Sequence, residues 1–274
     1  MKPIYSLEGV VAVFCDPERF GALLEPQQQS MLLAEYRNNF AFAIHPKKAA
    51  QVLDDDGRIN AQNMANLSKL TSWPRLATFG EIGIDYTNAK RNWPAQSSVL
   101  IQMLTAFRDG LVAARLPIVV HYRNTKYSLS KSLDASEKVM EVIEGILGNC
   151  HPIQVHHFQG NAREVERWLK RFPNAYFSVP VRSMLSITTA QREGWRAIPL
   201  NRLLLETDAP YGAEPNDWRP FTIPYDLAQD CGEIAKEKQV HKRQLLSLTL
   251  MNARSFFNIQ YFDVQGQGTS GPPQ

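Results

Sequence analysis

Five polar residues suited to metal or acid–base chemistry each lie at or near the end of a short apolar run in this chain. They are His45, Glu81, His121, His156 and Asp208. Imidazole nitrogens and carboxylate oxygens are ligands of Zn²⁺, Mn²⁺ and Mg²⁺, and two such ions can clamp a phosphoryl group during in-line displacement. The steps from Glu81 to His121 and from His121 to His156 are 40 and 35 residues, each about one strand plus one helix. The pattern therefore predicts one shared site at the ends of several strands.

Glu81 stands between two glycines, in the stretch Gly80-Glu81-Ile82-Gly83 that follows the apolar run 76–79. Glycine weakens a strand interior and usually marks a close approach of backbone or ligand. A carboxylate at the end of an apolar strand needs a partner, and a metal ion is one such partner. From this stretch alone two interpretations stay open: Glu81 binds metal or acts as a general base, or it is a solvated acid at a strand end.

The elements that would position these residues follow a regular alternation. Apolar runs typical of strands lie near residues 10, 40, 77, 117, 153, 175 and 203, and nearly all precede a helical pattern. Such alternation predicts parallel βα units. The first run, Val10 to Phe14, is continuously apolar, which is typical of a strand buried on both faces.

A closed (β/α)₈ barrel has eight strands and about 250 residues. With 274 residues and seven recognisable strands, we predict an α/β fold of the TIM type, (β/α)₈, whose first βα unit is missing. The unit expected to be missing is the first because the chain enters its first apolar run almost at once. We expect the barrel to span residues 1–262 and the Gly-, Gln- and Pro-rich residues 263–274 to form a disordered tail.

The composition of the chain bears on whether it binds nucleic acid, is secreted or crosses a membrane. The net charge of +3 comes from scattered Lys and Arg, so charge alone gives no strong nucleic-acid signal. Three cysteines form neither a disulfide framework nor a CxxC pair, which favours a cytoplasmic or nuclear protein that is not secreted. No apolar run reaches the roughly 18 residues of a membrane helix, so we expect no membrane partner. No obligate protein partner is indicated.

Several blocks in chain order resemble the signature blocks of the TatD family of metal-dependent deoxyribonucleases. They are GEIGIDY at 80–86, HYR at 121–123, HHFQG at 156–160 and ETDAPY at 206–211. A fifth block, AIHP at 43–46, resembles the family's Gly-x-His-Pro with Ala43 in place of glycine. The similarity runs from about Val10 to Phe257. The resemblance implies a metal-dependent phosphodiester hydrolase that acts on DNA.

The resemblance also implies residue roles. Glu81 would bridge two divalent ions (Mg²⁺, Mn²⁺ or Zn²⁺), and His121 and His156 would complete the second metal site. Asp208 would hold the first ion and orient or deprotonate the attacking water. Glu81 and Asp208 are thus the expected catalytic residues.

Two further residues are expected to contact the substrate. Arg123 would lie near a phosphate, where its planar guanidinium suits bidentate contact. His45 would lie at the same rim of the barrel.

The chain departs from the family at the first strand, which in the family carries His-x-His and supplies two ligands to the first metal. No His-x-His occurs here. Because adjacent strand residues point to opposite faces, we expect only His156 of the pair His156-His157 to enter the site. The first metal site would then keep only Glu81 and Asp208 and bind weakly or not at all, leaving one ion.

Three functions stay open on this basis. The chain is a TatD-like deoxyribonuclease impaired by the loss, an inactive TatD-like pseudo-enzyme or binding protein, or a barrel hydrolase for another substrate.

Three further residues, close in sequence to the candidate site residues, have two interpretations each. Asp85 shapes the loop or takes part in catalysis, Glu206 supports the site or binds backbone, and Trp218 stacks on a nucleobase or packs its loop.

Overall fold

The seven predicted strands are present and lie side by side in one sheet. The computed structural model describes residues 7–35, 38–113, 115–125, 134–181, 187–211 and 219–259. The strands are β1 (Val10–Phe14), β2 (Asn38–Phe42), β3 (Leu76–Asp85), β4 (Ile118–Arg123), β5 (Ile153–Val155), β6 (Ala175–Pro180) and β7 (Leu203–Glu206). All neighbouring strands are parallel, and they pair in chain order from β1 to β7.

Each strand is followed by at least one helix, which confirms the predicted βα alternation. The helices are α1 (Phe20–Leu23), α2 (Pro26–Ala34), α3 (Ala49–Val52), α4 (Ala61–Thr71), α5 (Trp93–Ala106), α6 (Ala135–Leu147), α7 (Ala162–Arg171), α8 (Thr189–Ala197), α9 (Asp226–Asp230), α10 (Gly232–Glu237) and α11 (Lys242–Phe257). Shorter helical turns lie at Pro17–Arg19, Pro46–Lys48, Lys90–Asn92, Phe107–Leu111 and Leu200–Arg202. The architecture is the predicted α/β TIM-type barrel, with seven of eight strands in the described part.

The two strands at the ends of the sheet are less buried than those between them. β3 to β6 are almost entirely buried, whereas β1 is half-buried and exposes 40% of Val13. The expectation that Val10–Phe14 is buried on both faces is therefore wrong. Among the described residues, β1 pairs on one side only, with β2, so its other side has no strand to cover it.

The two glycines of β3 let it approach β4 closely. A Cβ atom at Gly83 would lie 1.8 Å from the carbonyl oxygen of His121, and one at Gly80 would lie 2.5 Å from Cβ of Val119. Gly83 also has a φ of +150°, a conformation that L side chains rarely adopt. The register of β3 against β4 shifts between Gly80 and Ile82. Close backbone approach, one of the reasons predicted for these glycines, is confirmed.

Some sequence-based expectations lie outside the described residues. These are the disordered tail at 263–274, the end of the barrel at residue 262, and the role of Trp218. Within the described ranges, no helix is long and apolar enough to cross a membrane.

Substitution of Gly83 tests how strongly the β3–β4 contact holds the fold. Gly83→Ala is expected to lower the free energy of unfolding by about 1–3 kcal/mol through backbone strain alone, and overlap with the His121 carbonyl adds to this loss. The measurement is urea unfolding followed by circular dichroism in EDTA. Gly145→Ala in α6 is the control, because its Cβ meets nothing within 4 Å, and it should be neutral or stabilising. Equal stability of Gly83→Ala and wild type would contradict the argument.

Candidate metal centre

Three imidazoles surround one carboxylate oxygen, Oε1 of Glu81. The distances to it are 2.5 Å from His121 Nδ1, 3.4 Å from His156 Nε2 and 3.9 Å from His45 Nε2. The three histidines lie on β4, just after β5 and just after β2, so four consecutive strands of the sheet, β2 to β5, supply the group. Glu81 itself lies inside β3, which continues to Asp85, rather than at the end of the strand. The structure thus brings together four of the residues singled out from the sequence.

Asp85 orients His121 from the side opposite to Glu81. Its Oδ2 lies 3.0 Å from His121 Nε2 and 3.4 Å from Lys47 Nζ. Its Oδ1 accepts hydrogen bonds from the backbone N–H of Thr87, at 2.8 Å, and from the Thr87 hydroxyl. Asp85 is fully buried. It therefore shapes the loop after β3, as one interpretation expected, and also fixes the ring of a candidate ligand.

Glu206 orients the ring of His156, as Asp85 orients that of His121. Its Oε2 lies 3.0 Å from His156 Nδ1 and accepts a hydrogen bond from the Ser178 hydroxyl at 2.5 Å. Gln154 Nε2 in turn donates to Ser178 Oγ at 2.8 Å. The sequence left two interpretations of Glu206, support of the site or a bond to the backbone. The structure shows the first, because Glu206 contacts the site through His156. The ring nitrogen that remains, Nε2, points towards Glu81.

Asp208 contacts both histidines of the adjacent pair. Its Oδ1 lies 3.5 Å from His156 Nε2 and its Oδ2 lies 3.1 Å from His157 Nδ1. The expectation that His157 points away from the site is therefore wrong. β5 ends at Val155, and His157 has a φ of +45°, so the alternation of faces along a strand does not extend to this pair.

The charges of the group depend on one another. Burial alone would raise the pKa of Glu81, but the His156 and His121 imidazoles outweigh it and hold that pKa well below its usual range. Burial opposes ionisation of Asp208 too, yet hydrogen bonds from His156 and His157 lower its pKa well below the ordinary value. Burial would lower the pKa of His156, but the carboxylates of Glu206 and Glu81 raise it well above normal. Glu81 and Asp208 are thus ionised at neutral pH.

His45 differs from the other histidines in its protonation. Burial, and then the neighbouring His121, lower the pKa of His45 to about 4, so its ring is neutral at pH 7. Its Nδ1 accepts a hydrogen bond from the backbone N–H of Lys47 at 3.1 Å. The single ring proton must therefore be on Nε2, the nitrogen that faces Glu81. His45 presents a hydrogen-bond donor to the site, which suits a substrate contact better than a metal ligand.

Arg123 is the last residue of β4 and lies two positions after His121. Residues two apart on a strand share a face, so Arg123 follows His121 on the side of the metal group. Its guanidinium donates to the carbonyl oxygen of Tyr122 at 2.7 Å.

Sequence reasoning missed Cys15, which directly follows β1. Its backbone carbonyl accepts a hydrogen bond from the backbone N–H of His45 at 2.9 Å. Burial, followed by the nearby Glu81 carboxylate, raises the pKa of the Cys15 thiol far above its usual value. The signal that selected the other residues, a polar side chain after an apolar run, also applies to Cys15.

The donor atoms fall into two groups, and within each group they lie within 4.8 Å of one another. One comprises His45, Glu81 and His121, and the other comprises His156, His157 and Asp208. Nitrogen and carboxylate donors in this number suit a divalent cation.

Comparison with known proteins identifies the family of this chain. The family model described as TatD related DNase matches residues 6–258. The human 3'-5' RNA nuclease TATDN2 is 30% identical over 271 residues, which cover 92% of this chain and 31% of that protein. The Bacillus subtilis uncharacterized metal-dependent hydrolase YabD is 26% identical, covering 80% of this chain and 77% of YabD. The Erwinia amylovora 3'-5' ssDNA/RNA exonuclease TatD is 26% identical, covering 85% of this chain and 84% of that protein.

Solved structures share the fold at lower identity. A TatD family hydrolase from Entamoeba histolytica superposes with a TM-score of 0.73 at 16% identity, covering 91% of this chain and 84% of that one. The TatD homologue YJJV from Escherichia coli gives a TM-score of 0.70 at 20% identity, with 92% and 87% covered. With a family model that matches nearly the whole sequence, this chain belongs to the TatD related DNase family.

Proposed function

We propose that the chain is a metal-dependent phosphodiesterase that hydrolyses single-stranded nucleic acid. The observation that carries the proposal is the convergence of three imidazoles on Oε1 of Glu81. The names of two relatives, an RNA nuclease and an ssDNA/RNA exonuclease, support nucleic acid as the substrate class. DNA is the substrate predicted from the sequence, and RNA is the second candidate.

The residues proposed to hold divalent ions are Glu81, His121, His156 and Asp208. Asp85 and Glu206 each engage one nitrogen of a histidine, so the other nitrogen, which faces Glu81, is the one that would bind an ion. When bound, such ions would polarise the phosphoryl oxygen and lower the pKa of a water molecule. Mg²⁺, Mn²⁺ and Zn²⁺ are all compatible with these donors.

His157 changes the expectation for the weaker of the two metal sites. The sequence predicted only Glu81 and Asp208 there, but His157 Nδ1 lies 3.1 Å from Asp208 Oδ2. We therefore propose one tightly held ion beside Glu81, His121 and His156, and a second, weaker ion beside Asp208 and His157.

Asp208 is the proposed general base. Its lowered pKa keeps the carboxylate ionised at neutral pH, so it can accept a proton from the attacking water or orient that water. Its side chain is partly exposed, unlike that of Glu81, so water reaches it more easily.

His45 and Arg123 are the proposed contacts to the substrate phosphate. The Nε2–H of His45 lies at the edge of the group, 3.9 Å from Glu81 Oε1, and can donate to a phosphate oxygen. Arg123 follows on the same face of β4, where its guanidinium can donate two parallel hydrogen bonds.

A nuclease assay tests the proposal. Purified protein is incubated with single-stranded DNA, single-stranded RNA or duplex DNA, in Mg²⁺, Mn²⁺, Zn²⁺ or EDTA. We expect metal-dependent cleavage of a single strand and a rate about 10²–10⁴-fold lower for Glu81→Ala, since that variant removes the central carboxylate. Glu141→Ala, which removes an exposed carboxylate of α6, is the control and should cleave like wild type. Absence of cleavage with every metal would refute the proposal and favour the binding-protein alternative.

Removing the carboxylate that orients His121 tests its role in metal binding. Asp85→Asn is expected to weaken Zn²⁺ or Mn²⁺ affinity about 10- to 100-fold, because the His121 ring loses its charged partner. Isothermal titration calorimetry gives the affinity and the number of ions bound. The matched control is Asp109→Asn, which changes an aspartate paired with Arg108 on the surface. If Asp85→Asn binds metal as tightly as wild type, Asp85 does not orient a ligand.

Metal binding should release a proton. Because the carboxylates of Glu206 and Glu81 raise the pKa of His156, its ring is protonated until metal displaces the proton. Below that raised pKa, the apparent affinity should increase about tenfold for each pH unit, as expected when one proton is lost. Calorimetry at pH 7 in two buffers of different ionisation enthalpy counts the protons released. A count of zero would show that His156 is not a ligand.

A further inference from the structure

The three most exposed aromatic side chains in the described part of the chain all lie shortly after β7. Tyr211 is 73% exposed, Tyr225 is 52% exposed and Phe221 is 46% exposed. Every other Phe, Tyr and Trp within the described ranges is buried or half-buried. We call these three side chains the aromatic surface. Exposed apolar rings cost hydrophobic free energy, so three of them in the segment that follows Asp208 indicate a binding surface.

Hydrogen bonds hold Tyr211 close to Asp208. The backbone N–H of Tyr211 donates to the carbonyl oxygen of Asp208 at 2.8 Å. Three residues of chain span at most about 10 Å, so the Tyr211 backbone cannot lie far from the proposed general base.

The segment that carries Phe221 is fixed to the same turn. The buried Thr222 donates its backbone N–H to the Pro210 carbonyl at 3.1 Å and its hydroxyl to the Tyr211 carbonyl at 2.5 Å. The Thr207 carbonyl oxygen lies 3.3 Å from the same hydroxyl and shares its proton. Phe221 is therefore positioned next to Tyr211 before any ligand arrives.

A cationic group supports the same surface. The guanidinium carbon of Arg219 lies 5.4 Å from the centre of the Phe221 ring. Asp226 holds Arg219 in place, with Asp226 Oδ1 2.5 Å from Arg219 Nη2. The other oxygen, Asp226 Oδ2, accepts a hydrogen bond from the backbone N–H of Ile223 at 2.7 Å. These contacts fix the turn that leads to Tyr225, the third ring. Because Asp226 balances the charge of Arg219, this cation contributes position to the Phe221 ring, and the aromatic faces are what a single strand would contact.

We propose that the aromatic surface stacks with the bases of a single-stranded nucleic acid whose backbone enters the metal group. The inference rests on the proposed function, because it places the scissile phosphate beside Asp208. Unpaired bases offer their faces to protein rings, whereas the bases of a duplex are already stacked on each other. The aromatic surface therefore selects single strands over duplexes.

The test measures binding without hydrolysis. In EDTA, fluorescence anisotropy compares a labelled ten-nucleotide oligo(dA), an abasic strand with the same number of phosphates, and a duplex of the same length. Wild type should bind oligo(dA) at least tenfold more tightly than either of the others. Tyr211→Ala should weaken oligo(dA) binding about 5- to 100-fold and leave the abasic strand unaffected. Tyr211→Phe keeps an aromatic face and should retain wild-type binding.

Two further variants separate stacking from a general loss of structure. Phe221→Ala should weaken oligo(dA) binding in the same way as Tyr211→Ala, although it removes a ring from a different turn. Met251→Ala removes an exposed apolar side chain from α11 and should change nothing.

Several results would overturn the inference. Equal affinity for oligo(dA) and the abasic strand would exclude stacking, and so would unchanged binding by both Tyr211→Ala and Phe221→Ala. Self-association of wild type that Tyr211→Ala abolishes would show that a second copy covers the aromatic surface. The assay is independent of catalysis: base-dependent binding by a protein that cleaves nothing supports the stacking surface and refutes only the proposed function.

Discussion

A buried carboxylate surrounded by imidazoles is the constraint on which the site depends. Glu81 is removed from water, and an ionised group without partners would be costly there. Its oxygen is instead satisfied by nitrogens from strands that are distant in sequence. β3 approaches β4 so closely beside this group that a side chain at Gly83 would overlap the His121 carbonyl oxygen. The glycine backbone and the buried charge group thus occupy the same part of the sheet.

Two carboxylate–histidine pairs flank that oxygen from different strands. Asp85 engages His121, and Glu206 engages His156, with the latter pair extended through Ser178. In each pair the carboxylate holds one ring nitrogen and directs the other towards Glu81. Each pair fixes a histidine ring, but the two carboxylates come from different strands, since Asp85 ends β3 whereas Glu206 ends β7.

The end of β7 connects the chemistry to the surface. Asp208 follows this strand, and the turn after it carries Tyr211. One short segment thus supplies a proposed general base and an exposed ring. Because Thr222 bonds to that turn, the loop bearing Phe221 is fixed relative to the metal group as well. A strand of nucleic acid held there would be positioned before any chemistry occurs.

The sequence by itself determined the seven strands, their parallel alternation with helices, and most residues of the candidate site. Apolar runs and the polar residues that follow them are local patterns, so a single chain is enough to recognise them. Only the tertiary structure decided which nitrogen of each histidine faces Glu81, and that Asp85 and Glu206 are the residues responsible. It also decided that His157 turns towards Asp208, because β5 ends before the pair. These features depend on side chains that meet across 36 to 75 residues of sequence, where local patterns carry no information about contact.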